Sequence, residues 1–136
     1  PPSLGILMTA SLAASDAVLV TMQCEYYAME GLSVITNLID RLAANGGNSD
    51  LKIQGILMTM FDGRTNLSAD VVNEVRIHFG DLVYETVIPR NVRISEAPSF
   101  GQPVLAYDTN SKGAAAYRSF ASEFLKREKS LSKDRG

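Results

Sequence analysis

The side chains best suited to meeting an anion are two arginines that follow short apolar runs. Arg64 stands in Phe61-Asp62-Gly63-Arg64-Thr65, and Arg93 in Pro89-Arg90-Asn91-Val92-Arg93. In such a place the aliphatic stem lies along the surface and the guanidinium fork reaches solvent, where it can meet phosphate. A second reading stays open for both, in which they bond nearby carbonyls. Lys112 and Arg118 lie further along and can widen a basic patch. Pro89-Arg90-Asn91 ends the third of three apolar runs; in open α/β sheets ligands collect at that edge of the strands, although a proline there also makes a rigid strand-to-loop turn in any protein. Glu25 and Tyr26 follow the first run, open either to a ligand or partner or to plain loop packing.

Other chemistry finds little support. His78 is the single histidine and has no Cys or His cluster near it in sequence, so it reads as a helix-surface residue and no metal is expected. Cys24 is the single cysteine, without a neighbouring histidine, and reads as a packed thiol. Asp62 and Glu96 are not spaced as a recognisable acid–base pair. There is no G-x-S-x-G, no G-x-G-x-x-G and no G-x-x-x-x-G-K-[ST]; the one Lys-Gly pair, Lys112-Gly113, is followed by alanines. No catalytic residue is assigned.

The elements that must position these residues alternate. Ala17 to Met22 is a short β-rich run, apolar on both faces. Met29, Leu32, Ile35, Leu38, Ile39 and Leu42 then recur at helical spacing, and Gly46-Gly47 ends that helix. Ile53 to Met60 predicts a second strand. Asn66 or Ser68 can cap the next helix, with Val71, Val72, Val75 and Phe79 on one face and Gly80 as its stop. Val83 to Ile88 predicts a third strand, cut off by Pro89. Ser111 precedes a last helix with Tyr117, Phe120, Ala121, Phe124 and Leu125 on one stripe. Leu4 to Ala14 also reads as a helix.

Strands apolar on both faces, alternating with helices, predict an α/β layer of parallel βαβ units. Three strands are few for a doubly wound sheet, and one edge would lie uncovered, so the sequence reads as part of a larger sheet. The 136 residues suffice for one domain with a real core. No run approaches the roughly 18 consecutive apolar residues of a membrane span, no signal peptide is evident, and one cysteine suits a reducing cytoplasm. The net charge of −2 conceals an asymmetry: residues 1–110 carry 6 basic and 12 acidic side chains, residues 111–136 carry 7 and 3. The basic end can attract nucleic acid or anionic lipid, or be a solvated terminus.

Five sequence words together resemble the ParA/Soj family of chromosome and plasmid partitioning ATPases. They are Pro1-Pro2-Ser3-Leu4-Gly5, QCEYYAMEGLS (Gln23 to Ser33), MTMFDGRTNLS (Met58 to Ser68), VIPRNVRISEAPSFGQPV (Val87 to Val104) and YDTNSKGAAAY (Tyr107 to Tyr117). They stand in family order and spacing across roughly residues 1–126. The resemblance implies the C-terminal half of a P-loop NTPase-like domain over 1–126, followed by a basic, frayed tail over 127–136. Two positions depart from the pattern. Leu7-Met8-Thr9-Ala10-Ser11 replaces an asparagine-bearing word, and Phe100 stands where histidine is common.

In this family the full-length protein binds ATP and Mg²⁺, dimerises, and then binds DNA without sequence preference; a ParB-like centromere-binding protein stimulates hydrolysis. The resemblance therefore implies an adenine pocket from Met60, Phe61, Pro89, Arg90 and Asn91, a switch segment at Pro1, Pro2 and Ser3, and DNA contacts from Arg64 and Arg93, with Lys112 and Arg118 beside them. It implies a cytoplasmic, nucleoid-associated protein with DNA, the ParB-like protein and a second copy of itself as partners, and no membrane. A phosphate cradle needs glycines, a lysine and a hydroxyl that these 136 residues do not supply, so they are expected to hold no cofactor and hydrolyse no ATP by themselves. Two other readings remain: a stand-alone, non-catalytic DNA-binding or dimerisation module, and an inactive relic of a split gene.

Overall fold

A computed structural model describes residues 5–133, with side chains through Ser130. Three parallel strands, β1 (Ala17–Gln23), β2 (Lys52–Phe61) and β3 (Val83–Pro89), form one sheet in the order β1-β2-β3. Ala17 pairs with Lys52 and Gln23 with Thr59 along the first seam; Ile56 pairs with Val83 and Phe61 with Pro89 along the second. Parallel neighbours need a crossover, and helices α2 (Ala28–Ala44) and α3 (Asn66–Phe79) supply the two. Helix α1 (Ile6–Ala13) precedes the sheet. Two short helices, α4 (Val92–Glu96) and α5 (Val104–Tyr107), and the long α6 (Lys112–Lys133) follow it.

Alternation along the strands sorts side chains into three layers. Ile56 and Met58 point to the face covered by α2 and α3, where they join Val20, Leu32, Val71, Val72 and Val75. Leu57, between them, points the other way and joins Tyr84, Ile88, Phe120 and Phe124 under α6. A third cluster of Leu12, Ile39 and Leu51 ties α1 to α2. Leu32, Ile56, Met58, Val75 and Tyr84 are the largest fully buried side chains; each large apolar group so buried contributes about 1.5–3 kcal/mol.

Several element boundaries differ from the sequence expectation. The N-cap of α3 is Thr65, not Asn66 or Ser68: its backbone is extended and its hydroxyl accepts from Ser68 N–H. Ser68 turns inward instead, accepting from Asp62 N–H at 3.1 Å. Gly80, with φ of 51°, ends the helix as its freedom from a Cβ predicts. The apolar stripe of α6 is Ala116, Tyr117, Phe120 and Phe124. Leu125 is 58% exposed and Ala121 is also exposed, because positions 117, 120 and 124 already span the contact face and 121 and 125 lie to its side.

The outer edge of β3 is closed by α6. Glu123 accepts from the N–H groups of Glu85 (2.7 Å) and Thr86 (2.9 Å). Arg127 donates to the carbonyls of Asp81 (2.8 Å) and Val83 (2.9 Å), pairs with Glu123 at 3.1 Å and lies 4.0 Å over the Tyr84 ring. Side chains thus satisfy backbone groups that would otherwise invite another strand.

Candidate functional site

The loops that leave the C-terminal ends of the three strands lie along one edge of the sheet. Backbone bonds lock them together: Cys24 N–H donates to Thr59 O (2.9 Å) and Arg90 N–H to Phe61 O (2.8 Å). With the Phe61–Pro89 pairing, this brings Met60, Phe61, Pro89, Arg90 and Asn91 to one seam between β2 and β3. Met60 has φ of 56° and is the non-glycine residue with positive φ among those described. A long side chain in the left-handed region is strained, and such strain persists where the surroundings enforce it, often at binding edges.

Phe61 and Pro89 are half-buried, leaving ring surface at the edge. The Asn91 carboxamide is committed: its oxygen accepts from Arg93 N–H (3.1 Å) and caps α4. Among the described residues no group of three His, Cys, Asp or Glu side chains converges to hold a metal. Pro1, Pro2 and Ser3, expected as a switch segment, lie outside the described residues.

Both loop arginines are held by carboxylates. Arg64 folds back on Asp62 in a two-pronged pair, Nε to Oδ1 at 2.9 Å and a terminal nitrogen to Oδ2 at 2.7 Å, while its N–H also bonds Oδ1 at 3.0 Å. These bonds hold the Asp62 carboxyl well below the usual carboxylate range. Arg64 is 84% exposed. Arg93 meets two carboxylates, Glu96 at 3.0 Å and Asp108 at 3.2 Å. Glu96 also accepts from the Tyr107 hydroxyl (3.1 Å), and Tyr107 stacks on Phe100 with ring centroids 4.9 Å apart.

Three of the four expected DNA contacts gather at one turn. Arg93 grips Asp108, Arg118 donates to the hydroxyl and carbonyl of Thr109, and Lys112, exposed, opens α6 just beyond Ser111. Ser111 caps that helix by accepting from Ala114 N–H at 3.1 Å. The approach of α6 to α4 depends on Gly113, where a Cβ would stand 2.5 Å from Ile94 Cγ1 and 3.2 Å from Asn91 Oδ1. Arg64 stands apart, on the loop between β2 and α3.

The remaining residues singled out in the sequence have local explanations. Tyr26 and Tyr27 are exposed and meet edge to face at 5.2 Å. Glu25 is exposed. Cys24 is buried and burial pushes its thiol up to about 11, so it is no nucleophile at neutral pH. His78 is exposed on α3 with Nδ1 3.1 Å from Glu74 O. The carboxylate partners are what sequence reasoning misses. Arg93 and Glu96 have helical i,i+3 spacing that signals a pair, and Asp62 sits two residues from Arg64; nothing in the sequence points to Asp108.

A family model described as an AAA domain matches residues 1–53. The chain is 54% identical over 128 residues to the chromosome partitioning protein ParA of Myxococcus xanthus, covering 94% of this chain and 45% of that protein. It is 54% identical over 123 residues to the sporulation initiation inhibitor protein Soj of Bacillus subtilis, covering 90% and 48%. Among solved structures, cobyrinic acid a,c-diamide synthase from Mycobacterium smegmatis with bound ADP and magnesium superposes with a TM-score of 0.71 at 36% identity, over 96% of this chain and 46% of that one. The fold is thus part of a P-loop NTPase-like α/β layer. The chain spans about half the length of the curated relatives it matches, and along that span it is similar to the ParA and Soj proteins.

Proposed function

We propose that these residues supply the base-holding edge and the DNA-contacting surface of an ATP-dependent partitioning protein, one that dimerises with a second copy and answers to a ParB-like partner. The observation that carries this reading is the gathering of Arg93, Arg118 and Lys112 around the turn at residues 108–112. Arginine forks suit phosphate oxygens, and contacts to the backbone give affinity and salt dependence without reading bases. Arg64 adds a further cation on the separate loop between β2 and α3. Lys112, at the positive end of α6, adds its charge to that of the helix dipole, which suits an anionic partner.

The nucleotide part of the reading rests on the β2–β3 seam. Pro89 and Phe61 offer ring surface to a flat base. ATP, when bound, brings the phosphates and Mg²⁺ whose chemistry drives the cycle; the described residues offer the base a resting place. Relatives named as partitioning proteins and a neighbour holding ADP and magnesium support the reading without carrying it.

The test is DNA binding by the full-length protein with ATP, on duplexes of unrelated sequence. Arg93→Ala is expected to weaken binding to every sequence alike, and to reduce the salt slope by about 0.9 for each phosphate that the arginine neutralises. Unchanged affinity in Arg64→Ala, Arg93→Ala and Arg118→Ala would overturn the DNA reading.

A further inference from the structure

We propose that Asp62, Glu96 and Asp108 compete with DNA phosphate for Arg64 and Arg93, so that this conformation holds the two arginines latched and DNA binding exchanges intramolecular ion pairs for phosphate contacts. The proposal rests on the DNA reading above and assigns a regulatory role to three carboxylates within the same surface.

The four cations fall into two classes. Arg118 is held only by the neutral oxygens of Thr109, and Lys112 makes no ion pair among the described residues. Both keep their whole charge for an incoming anion. Arg64 is different. Its Nε and one terminal nitrogen are spent on the two Asp62 oxygens, the same two-pronged geometry a phosphate would take, and the pair is neutral. Arg93 goes further. One positive charge faces two negative ones, Glu96 and Asp108, so this ion-paired group carries a net negative charge of its own beside Arg118 and Lys112. A phosphate approaching Arg93 in this arrangement meets repulsion from both carboxylates along with attraction to the guanidinium.

The latches are of a kind that can exchange. Arg64 is 84% exposed and Arg93 52% exposed, so both guanidinium groups can swing to an incoming anion without opening the core. Their carboxylates differ in what else they do. Asp62 also receives the Arg64 N–H, Glu96 also receives the Tyr107 hydroxyl, and the Asp108 carboxylate has Arg93 as its ion-pair partner. Asp108 is therefore the cleanest place to remove a latch. An exposed ion pair in water is weak enough to be outbid by a polyanion bearing many phosphates.

The experiment measures affinity of the full-length protein with ATP for a random-sequence duplex, comparing the unmodified protein with Asp108→Asn, Asp62→Asn, Arg64→Ala and Arg93→Ala. Each neutralised carboxylate is expected to tighten binding about two- to fivefold, the range that breaking an exposed ion pair allows. Both carboxylates are replaced, in separate variants, because the two latches stand on different loops. If Asp108→Asn and Asp62→Asn bind equally or more weakly while Arg93→Ala still weakens binding, the carboxylates position the arginines rather than hold them back, and the latch is overturned with the DNA reading intact. If the two alanine variants, and Arg118→Ala with them, also leave binding unchanged, the DNA reading itself has failed.

Discussion

Replacing Gly113 by alanine tests how α6 carries the charged turn. A Cβ there would lie 2.5 Å from Ile94 Cγ1 and 2.7 Å from its Cδ1, well inside contact distance, and 3.2 Å from Asn91 Oδ1. Ile94 is branched at Cβ and packs into the cluster around Leu57, Tyr84 and Ile88, so its Cγ1 cannot swing clear by rotating a free chain end. Overpacking of this kind costs about 1–3 kcal/mol. Displacing Asn91 threatens its bond to Arg93 N–H, and removing an N-cap costs about 1 kcal/mol. Against these stands the gain of about 1 kcal/mol from replacing glycine within a helix. The balance is a loss of about 1–3 kcal/mol.

Urea unfolding reads this as a lowered midpoint at unchanged slope. Combining the change with Ile94→Ala separates the causes: with the isoleucine gone, the alanine at 113 should cost little or even stabilise through its helix gain, and the two changes should be far from additive. A midpoint that stays put or rises in the single variant would refute the reasoning, since it would mean that α4 and α6 part without cost. Because Asn91 and Arg93 sit on the displaced segment, the same variant should also weaken DNA binding.

Three further outcomes follow from the packing. Gly55→Ala would drive a Cβ into the Tyr84 ring, which is wholly buried and fixed by Phe120 at 4.9 Å and Arg127 at 4.0 Å; a loss of about 1–3 kcal/mol in urea unfolding is expected, and no loss would show that the ring is loosely held. For Glu123, burial works to raise the carboxyl, but hydrogen bonds from Thr86 and Glu85 and the charge of Arg127 outweigh it and hold it below its ordinary value. A depressed folded value means that its stabilisation is complete above the ordinary carboxylate range and is lost as pH falls below it. The stability deficit of Glu123→Gln, about 1–2 kcal/mol at neutral pH, should therefore shrink as pH is lowered through about 4 and below; a deficit independent of pH would exclude the charge as its source. Cys24, buried with its thiol pushed up to about 11, should react with a thiol reagent at neutral pH only as fast as the region opens, and quickly once denaturant is added.

The sheet is legible in the sequence because its strands are unbroken apolar runs, and the helices are legible where they are long enough to show a period. The cap of α3 is not: Thr65, Asn66 and Ser68 are all capping residue types, and only the extended backbone at 65 distinguishes the first of them. Between Pro89 and Ser111 the sequence predicts no element, yet α4 and α5 stand there with five and four residues, too short for hydrophobic period to register. The meeting of Phe61 with Pro89 is expected from the family resemblance, since the register along β2 and β3 is irregular and has no local signal. The positive φ of Met60 and the grip of Asp108 on Arg93 are not expected, because one is a backbone state that its residue type disfavours and the other joins residues that only the fold brings together.

Helix α6 serves the two ends of the molecule differently, and this makes its roles separable. Its second half closes the β3 edge through Glu123 and Arg127. No comparable side-chain clamp lies on β1 among the described residues, so the two outer strands of the sheet are not equivalent. Its first half presents Lys112 and Arg118 beside the turn that holds Arg93 and, through Gly113, lets α4 come close. Between the halves, Tyr117, Phe120 and Phe124 seat the helix on the sheet. Changes at Glu123 and Arg127 should therefore lower stability without altering the charge that faces an anion at residues 108–112. Changes at Gly113 should alter both, because there the packing of the helix and the placement of the arginine depend on the same contact.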